Sequence, residues 1–482
     1  MEFEPVIGLE VHVQLATQSK MFSAAEVSFG KEANFNIDPL TLGLPGSLPV
    51  INKKAVQFAI ILGLALSCEI KKFNRFARKH YFYPDLPKGY QLSQYEEPIC
   101  ERGQLQVTFE NGLRTIGITR IHIEEDAGKN IHDPRTQTTL IDLNRAGVPL
   151  LEIVSEPDLR SPTEAAAYLR ALRQLCRYLA ISNCDMEQGE FRCDANISLR
   201  PVGEIKFGTR TEIKNLNSFR FVERAIEYEI ARQASIIKSG GKIIQETVLF
   251  DPETGTTKSM RSKEEAADYR YFPCPDLPPL IIEDVWINQL REKMPILPWQ
   301  AKKRLLETFS LSPYDADLLT SEREYLDYFE GVVAICENGK LAANWICSEL
   351  FGFLNKHGLP LDKSPITADK LGELLKLVNS GEISGKIAKQ VFEEMFASGE
   401  NPSAIIERLN LKQINDPAEI TKIIKKILEA KNEQVVEYKN SDPRIQQKIK
   451  TFFIGQIMKE TAGKANPVAV NQILETLLNQ DK

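Results

Sequence analysis

The chain has 482 residues, 43% of them hydrophobic and 26% charged, with 27 glycines and 26 prolines, a composition that excludes disordered, collagen-like and coiled-coil proteins. Lys plus Arg number 60 against 66 Asp plus Glu, and the net charge of −6 excludes a protein that coats nucleic acid through bulk charge. At about 150 residues per domain the length suggests roughly three domains, able to fold without disulfide staples.

No window approaches about 18 uninterrupted apolar residues, and the start MEFEPVIG has no basic segment ahead of an apolar one. Neither a membrane span nor a signal peptide is expected, and a cytoplasmic location follows by default. The eight cysteines form no CxxC pair and no tight cluster with a histidine, so neither a zinc knuckle nor a disulfide framework is expected.

The first predicted strand is VIGLEVHVQL. Side chains alternate at period two, so Leu9, Val11, Val13 and Leu15 face one way while Glu10, His12 and Gln14 face the other. Next comes FARKHYFYPDLPKGYQLSQ, which combines Arg78, Lys79, His80, Lys88 and Gln91 with Tyr81, Tyr83 and Tyr90. Basic residues interleaved with aromatics can hold phosphate and stack on a base; equally, the aromatics can cover the edge of a core. A second strand, IGITRIHIEED, carries Arg120, His122 and Glu124 on one face, and Glu125 follows where a bulge or strand end can turn it inward. A third, EFRCDANISLR, alternates Glu190, Arg192, Asp194, Asn196, Ser198 and Arg200 with Phe191, Cys193, Ala195, Ile197 and Leu199. A fourth, GTRTEIKNLNSF, places Arg210, Glu212 and Lys214 on one face.

From about Leu297 the pattern turns helical, in AKKRLLETF, KLAANWICSELFGFLNKHG and ADKLGELLKLVNSG. After a break near GENPSAI come PAEITKIIKKILEA, SDPRIQQKIKTFFIGQIMKET and NPVAVNQILETLL, where Asn466 is a good N-cap with Pro467 in the first turn. The expected organisation is α+β: an antiparallel-sheet domain over 1–295, an all-α helical domain over 296–402 and a small all-α tail over 403–482. The tail has 13 basic and 10 acidic residues, making it the mildly basic end of an acidic chain.

A solvated sheet face explains such alternation in one strand, but four strands bearing carboxylates, imidazole, Arg and Lys describe a reactive floor. Carboxylates beside an imidazole suit Mg²⁺ or Mn²⁺, and arginines between them suit phosphate oxygens. This is the equipment of phosphoryl transfer. The commonest competing signatures, GxxxxGK[ST], GxGxxG, GxSxG and HExxH, are absent from the sequence. His80 and His132 stay undecided, His122 is either a ligand or a hydrogen-bonded strand residue, and His357 before Gly358 reads as structural.

IGLEVHVQL, LGLPGSLPV, RKHYFYPDLPKGYQLSQ, HIEEDAGK, DLNRAGVPLLEIVSEPD, RCDANISLRP, GTRTEIKNLNSF, DYRYFPCPDLPPL and GQIMKETAGKANP occur here in fixed order. Together they resemble the B-subunit family of the aspartyl/glutamyl-tRNA(Asn/Gln) amidotransferases, over almost the whole chain. The resemblance implies a cradle domain similar to glutamine synthetase and the guanido kinases, followed by helical and tail domains that engage tRNA. No large insertion of the archaeal kind is present, so the bacterial or organellar heterotrimer is the closer match.

It further implies a ligase that uses ATP to phosphorylate the side-chain carboxylate of mischarged Glu-tRNA(Gln) or Asp-tRNA(Asn). Ammonia from the amidase (glutaminase) A subunit, assembled with the small C subunit, then displaces phosphate. Strand faces plus the match assign Glu10, His12, Glu124 and Glu125 to Mg²⁺ (or Mn²⁺), with Asp194 and Glu212 as further catalytic acids. Arg192, Arg210, Lys214, Lys79 and Lys88 are expected at phosphate. The tail residues Lys422, Lys425, Lys426, Arg444, Lys448 and Lys450 read as a solvated helix face, raised toward tRNA contact by the resemblance alone. Many members carry four zinc-binding cysteines where this chain has Ser23, Ala25, Asp38 and Thr41, so no zinc is expected. The alternative readings are a free-standing carboxylate-amine ligase acting on a small amino acid and a non-catalytic, RNA-binding component of an assembly.

Overall fold

A computed structural model describes residues 2–109, 112–133, 135–262, 268–411, 416–461 and 464–479. The expected tail, 403–482, therefore lies partly outside the described residues. The chain divides into two compact units, Met1–Trp299 and Gln300–Lys482.

The first unit is built on a twelve-stranded sheet. Its centre runs, in spatial order, Thr211–Leu216, Phe191–Pro201, Phe3–Gln14, Pro149–Ser155 and Gly112–Glu125, every neighbouring pair antiparallel. Outside Thr211–Leu216 the strand Glu246–Asp251 joins in parallel, so the sheet is mixed. The four predicted strands are all present, and a fifth, Pro149–Ser155, lies between the first and second.

One face of this sheet is apolar. Ile7, Leu9, Val11 and Val13 are buried in one core with Ile121, Ile153, Ala195 and Ile197 of neighbouring strands. Helices Lys53–Ala65, Pro162–Tyr178 and Phe219–Lys238 supply its other side through residues such as Ile60, Leu169 and Ile226. Sequence sets their starts: Ser161 accepts the Glu164 N–H at 3.1 Å ahead of Pro162, and Ser218 accepts the Phe221 N–H at 3.1 Å. With helices filling one side, the alternate residues of every central strand are turned to the other.

The second unit is helical throughout, apart from turns, among its described residues. Pro417–Ala430, Pro443–Glu460 and Pro467–Asn479 match the three predicted tail helices, and Asn432–Asn440 adds a fourth. Asn466 caps the last, accepting from Val468 N–H at 3.0 Å and Ala469 N–H at 3.3 Å. Ile420, Ile424, Phe453, Ile457, Val470 and Leu474 form a core of their own. Among the described residues no helix is long and apolar enough to cross a membrane.

Candidate active site

Register assembles the site. His12 stands opposite Glu152 on one side and Arg192 on the other, and Glu152 in turn faces His122, so four strands place one row across the polar face. Glu10 faces Asp194 in the row beside it. Directly paired residues share a face, which is why these side chains converge.

His12 Nε2 lies 3.4 Å from Glu152, 3.6 Å from Glu124 and 3.9 Å from Glu10. His122 Nε2 lies 3.6 Å from both Glu124 and Glu152. Two overlapping triads result, Glu10–His12–Glu152 and His122–Glu124–Glu152, each with three potential ligand atoms within 4.8 Å of one another. Arg120 donates to Glu152 at 3.3 Å. His122 is 1% exposed, and its Nδ1 has no hydrogen-bond partner.

Crowding acids away from water shifts their protonation. Burial, then the neighbouring Glu152 and Asp194 carboxylates, push Glu10 up to about 7 against the opposing pull of His12 and Lys214. Burial alone would lower His12, but Glu152 and Glu124 outweigh it and raise the imidazole to about 9. Burial acts to raise Glu152 too; His122, His12 and Arg120 outweigh it and hold this carboxyl well below the usual range. An imidazole ringed by carboxylates suits a divalent ion: histidine nitrogens and hard oxygens are both supplied.

On the other side of Glu10, Lys214 pairs closely with Asp194 and lies 2.9 Å from Glu212, whose carboxylate also accepts from Thr247 Oγ1 at 2.9 Å. Burial opposes the charge on Lys214, yet the two acids raise its pKa. Arg192 donates to Asp126 at 2.9 Å, and Gln14 donates to the same carboxylate at 2.8 Å.

Five expected residues, Glu10, His12, Glu124, Asp194 and Glu212, thus lie on one floor with Lys214 and Arg192. Glu125 does not join them. As the neighbour of Glu124 on an unbroken strand its side chain turns the opposite way, where it pairs closely with Lys88 and accepts the Leu92 N–H at 3.0 Å. Glu125, expected to share a cation with Glu10, His12 and Glu124, lies against Lys88, itself expected at phosphate. Arg210 precedes the strand that carries Glu212 and Lys214 and is exposed, bordering a cavity beside the floor. Lys79 lies over the Tyr269 ring, 4.9 Å from its centroid. Tyr95 stacks on Tyr271 at 5.3 Å with Arg120 over its ring at 4.7 Å, so aromatics wall the floor at the His122 end.

Glu152 is the residue that sequence reasoning missed. It is the lone charge in the apolar run PLLEIVS, and that interruption was the available signal. At the four positions where cysteines were considered, Asp38 accepts the Thr41 N–H at 2.7 Å, and Ser23 Oγ accepts the Ala25 N–H at 3.4 Å. In the tail, Lys422, Lys425, Arg444 and Lys448 lie on the described helices, Lys426 pairs with Glu460 at 3.3 Å and Lys450 with Glu475 at 2.7 Å.

Residues 5–288 match the GatB/GatE catalytic domain, and residues 327–478 match the GatB domain. The chain is 52% identical over 479 residues to the B subunit of the aspartyl/glutamyl-tRNA(Asn/Gln) amidotransferase of Persephonella marina, covering 99% of this chain and 100% of that one. The proteins of the same name from Azotobacter vinelandii and Pseudomonas syringae pv. syringae are 52% and 53% identical over 480 residues, with the same coverage.

Proposed function

Since this chain belongs to the GatB/GatE family, we propose that it is the B subunit of an amidotransferase converting mischarged Glu-tRNA(Gln) or Asp-tRNA(Asn) into the cognate amide. The observation that supports this reading most is the pair of overlapping His–carboxylate triads on the sheet floor. An unactivated carboxylate is a poor acyl donor, so amidation needs a phosphorylated side chain from which phosphate can leave.

In this reading Glu10, His12, Glu124, Glu152 and His122 hold a divalent cation, Mg²⁺ or Mn²⁺. That cation would neutralise charge on the phosphoryl group of ATP as it passes to the tRNA-borne carboxylate. Arg120 orients Glu152, while Lys214 pairs with Asp194 and Glu212 beside Glu10. Asp194 and Glu212 are then placed to accept a proton from the attacking nitrogen. Arg192 and Arg210 supply positive charge to phosphate oxygens at the two sides of the cluster. Lys79, raised on aromatic rings, is the remaining candidate for a phosphate contact.

Ammonia comes from glutamine hydrolysis in the amidase A subunit, and the small C subunit completes the heterotrimer. The cradle similar to glutamine synthetase occupies 1–295, the helical domain 296–402 and the tail 403–482. The tail meets tRNA through Lys422, Lys425, Arg444 and Lys448, with Lys426 and Lys450 partly neutralised by their acids. With Ser23, Ala25, Asp38 and Thr41 at those positions the loop is held by ordinary packing and turns and takes no zinc, and elemental analysis finding one zinc per chain would overturn that point.

The deciding experiment is amidation of Glu-tRNA and Asp-tRNA, in parallel, by the chain co-purified with its partner subunits. ATP-dependent formation of either amide is expected; amidation of free glutamate or aspartate in place of the tRNA-bound residue would overturn the reading.

A further inference from the structure

We propose that Asp126 is a positioning residue for phosphoryl transfer: it holds the Arg192 guanidinium at the edge of the acid cluster, with donors left over for the oxygens of the migrating phosphoryl group. This inference rests on the function proposed above and assigns a task to a buried acid that belongs to neither triad.

Asp126 stands two residues beyond Glu124, just past the end of its strand, and is 3% exposed. Its backbone is fixed on both sides, the N–H donating to the Val148 carbonyl at 2.8 Å and the carbonyl accepting the Gly147 N–H at 2.8 Å. The carboxylate is just as occupied. Oδ1 accepts the Ala127 N–H at 2.9 Å, while Oδ2 accepts from Gln14 Nε2 at 2.8 Å and from Arg192 Nη2 at 2.9 Å. Arg145 adds a second cation, its Nε 3.5 Å from Oδ2, and ties down the following segment by donating to the carbonyls of Ala127 at 3.0 Å and Gly128 at 2.6 Å. An acid engaged on every side has little capacity left to ligate a cation; it is built as a fixed post.

Arg192 is the opposite case. Nη2 is its one nitrogen with an acceptor among the described residues, Nε is buried without one, and the side chain is 34% exposed. Strand register puts Arg192 directly across from His12, in the row of the two triads. Burial works against its charge, yet Asp126, then Glu124 and Asp194, outweigh it and raise the pKa, so the guanidinium lies within reach of the post and of the floor acids together.

In the reaction proposed above, an oxygen of the tRNA-borne carboxylate bonds to the γ-phosphorus of ATP while the bond from that phosphorus to its bridging oxygen breaks, and ADP departs with the electron pair. Negative charge is spread over the three other oxygens of the group in transit, and guanidinium N–H groups meet it without a proton changing hands. A loose arginine would have to be ordered in each turnover; one tied by Nη2 to a buried carboxylate is set beforehand.

If Asp126 acts through Arg192, the effects of removing the two are not additive. The full chain, assembled with its partner subunits, is given ATP, Mg²⁺, Glu-tRNA and hydroxylamine, and the rate of γ-hydroxamate formation is measured alongside Mn²⁺ affinity by electron paramagnetic resonance. Asp126→Ala and Arg192→Ala are each expected to slow the reaction at least about tenfold, and the double variant to be no slower than Arg192→Ala alone. Asp126→Asn keeps the shape and an acceptor, which guards against misfolding of the alanine variant; its severalfold loss is expected to vanish once Arg192→Ala is present. Mn²⁺ affinity is expected not to fall in any of them. An undiminished rate in Asp126→Ala, or losses that multiply in the double variant, would overturn the assignment, and a fall in Mn²⁺ affinity with Asp126→Asn would make Asp126 a cation ligand instead. Absence of hydroxamate from the unsubstituted protein would refute the underlying function.

Discussion

Glu152 condenses the argument at the level of single residues. It touches both histidines and Arg120, and belongs to both triads. Glu152→Gln keeps the shape and removes the charge that raises His12, so Mn²⁺ affinity, followed by electron paramagnetic resonance, should fall at least tenfold, in line with perturbation of metal shells. Protons compete for the same atoms. With Glu10 raised to about 7 and His12 to about 9, cation binding must displace protons, so affinity should climb from about pH 6 to about pH 9. Because His12 is raised above its ordinary 6.5, its contribution to the stability of the metal-free protein is complete below that value and lost as pH rises through about 9.

Lys20 gives the opposite sign. It is 1% exposed, with Nζ 3.4 Å from Thr41 Oγ1 and from the Leu143 carbonyl, and burial pushes it down from 10.5 to about 8. Between those two values the unfolded chain binds more protons at this site than the folded one, so stability gains with pH across that window. Relative to Lys20→Met, the unsubstituted protein should gain on the order of 3 kcal/mol over the window in denaturant melts.

Strands carry the next level of explanation. Period-two alternation made Glu10, His12, Glu124, Asp194, Glu212 and Lys214 legible, since helices on one face oblige the other residues to point away. It could not reveal that Pro149–Ser155 lies between the first two of those strands, because sheet order is set by pairing between distant segments. A strand whose two faces are both largely buried does not alternate, so Glu152 was hidden in an apolar run. Glu125 went the other way for the same reason: adjacency in sequence is opposition in a strand, and no bulge intervenes at Glu124. On the core side of this strand Ile153 is fully buried. Ile153→Ala should cost about 2–5 kcal/mol, lowering the melting temperature of the protein.

Considered whole, the chain joins a sheet unit that carries the acid cluster to a helical unit, each with its own core. A net charge of −6 leaves tRNA affinity to local patches, which makes the lysines of the tail testable. Lys422→Glu with Lys425→Glu should weaken tRNA binding and flatten its dependence on salt by about two units of log–log slope, measured by filter binding. The catalytic claim is tested most directly by trapping the activated carboxylate. Incubating the assembled enzyme with ATP, Mg²⁺, Glu-tRNA and hydroxylamine should yield the γ-hydroxamate of the tRNA-bound glutamate, and Glu10→Gln or Glu152→Gln should reduce that yield at least tenfold. Undiminished hydroxamate in both variants would contradict the assignment of cation-dependent activation to this floor.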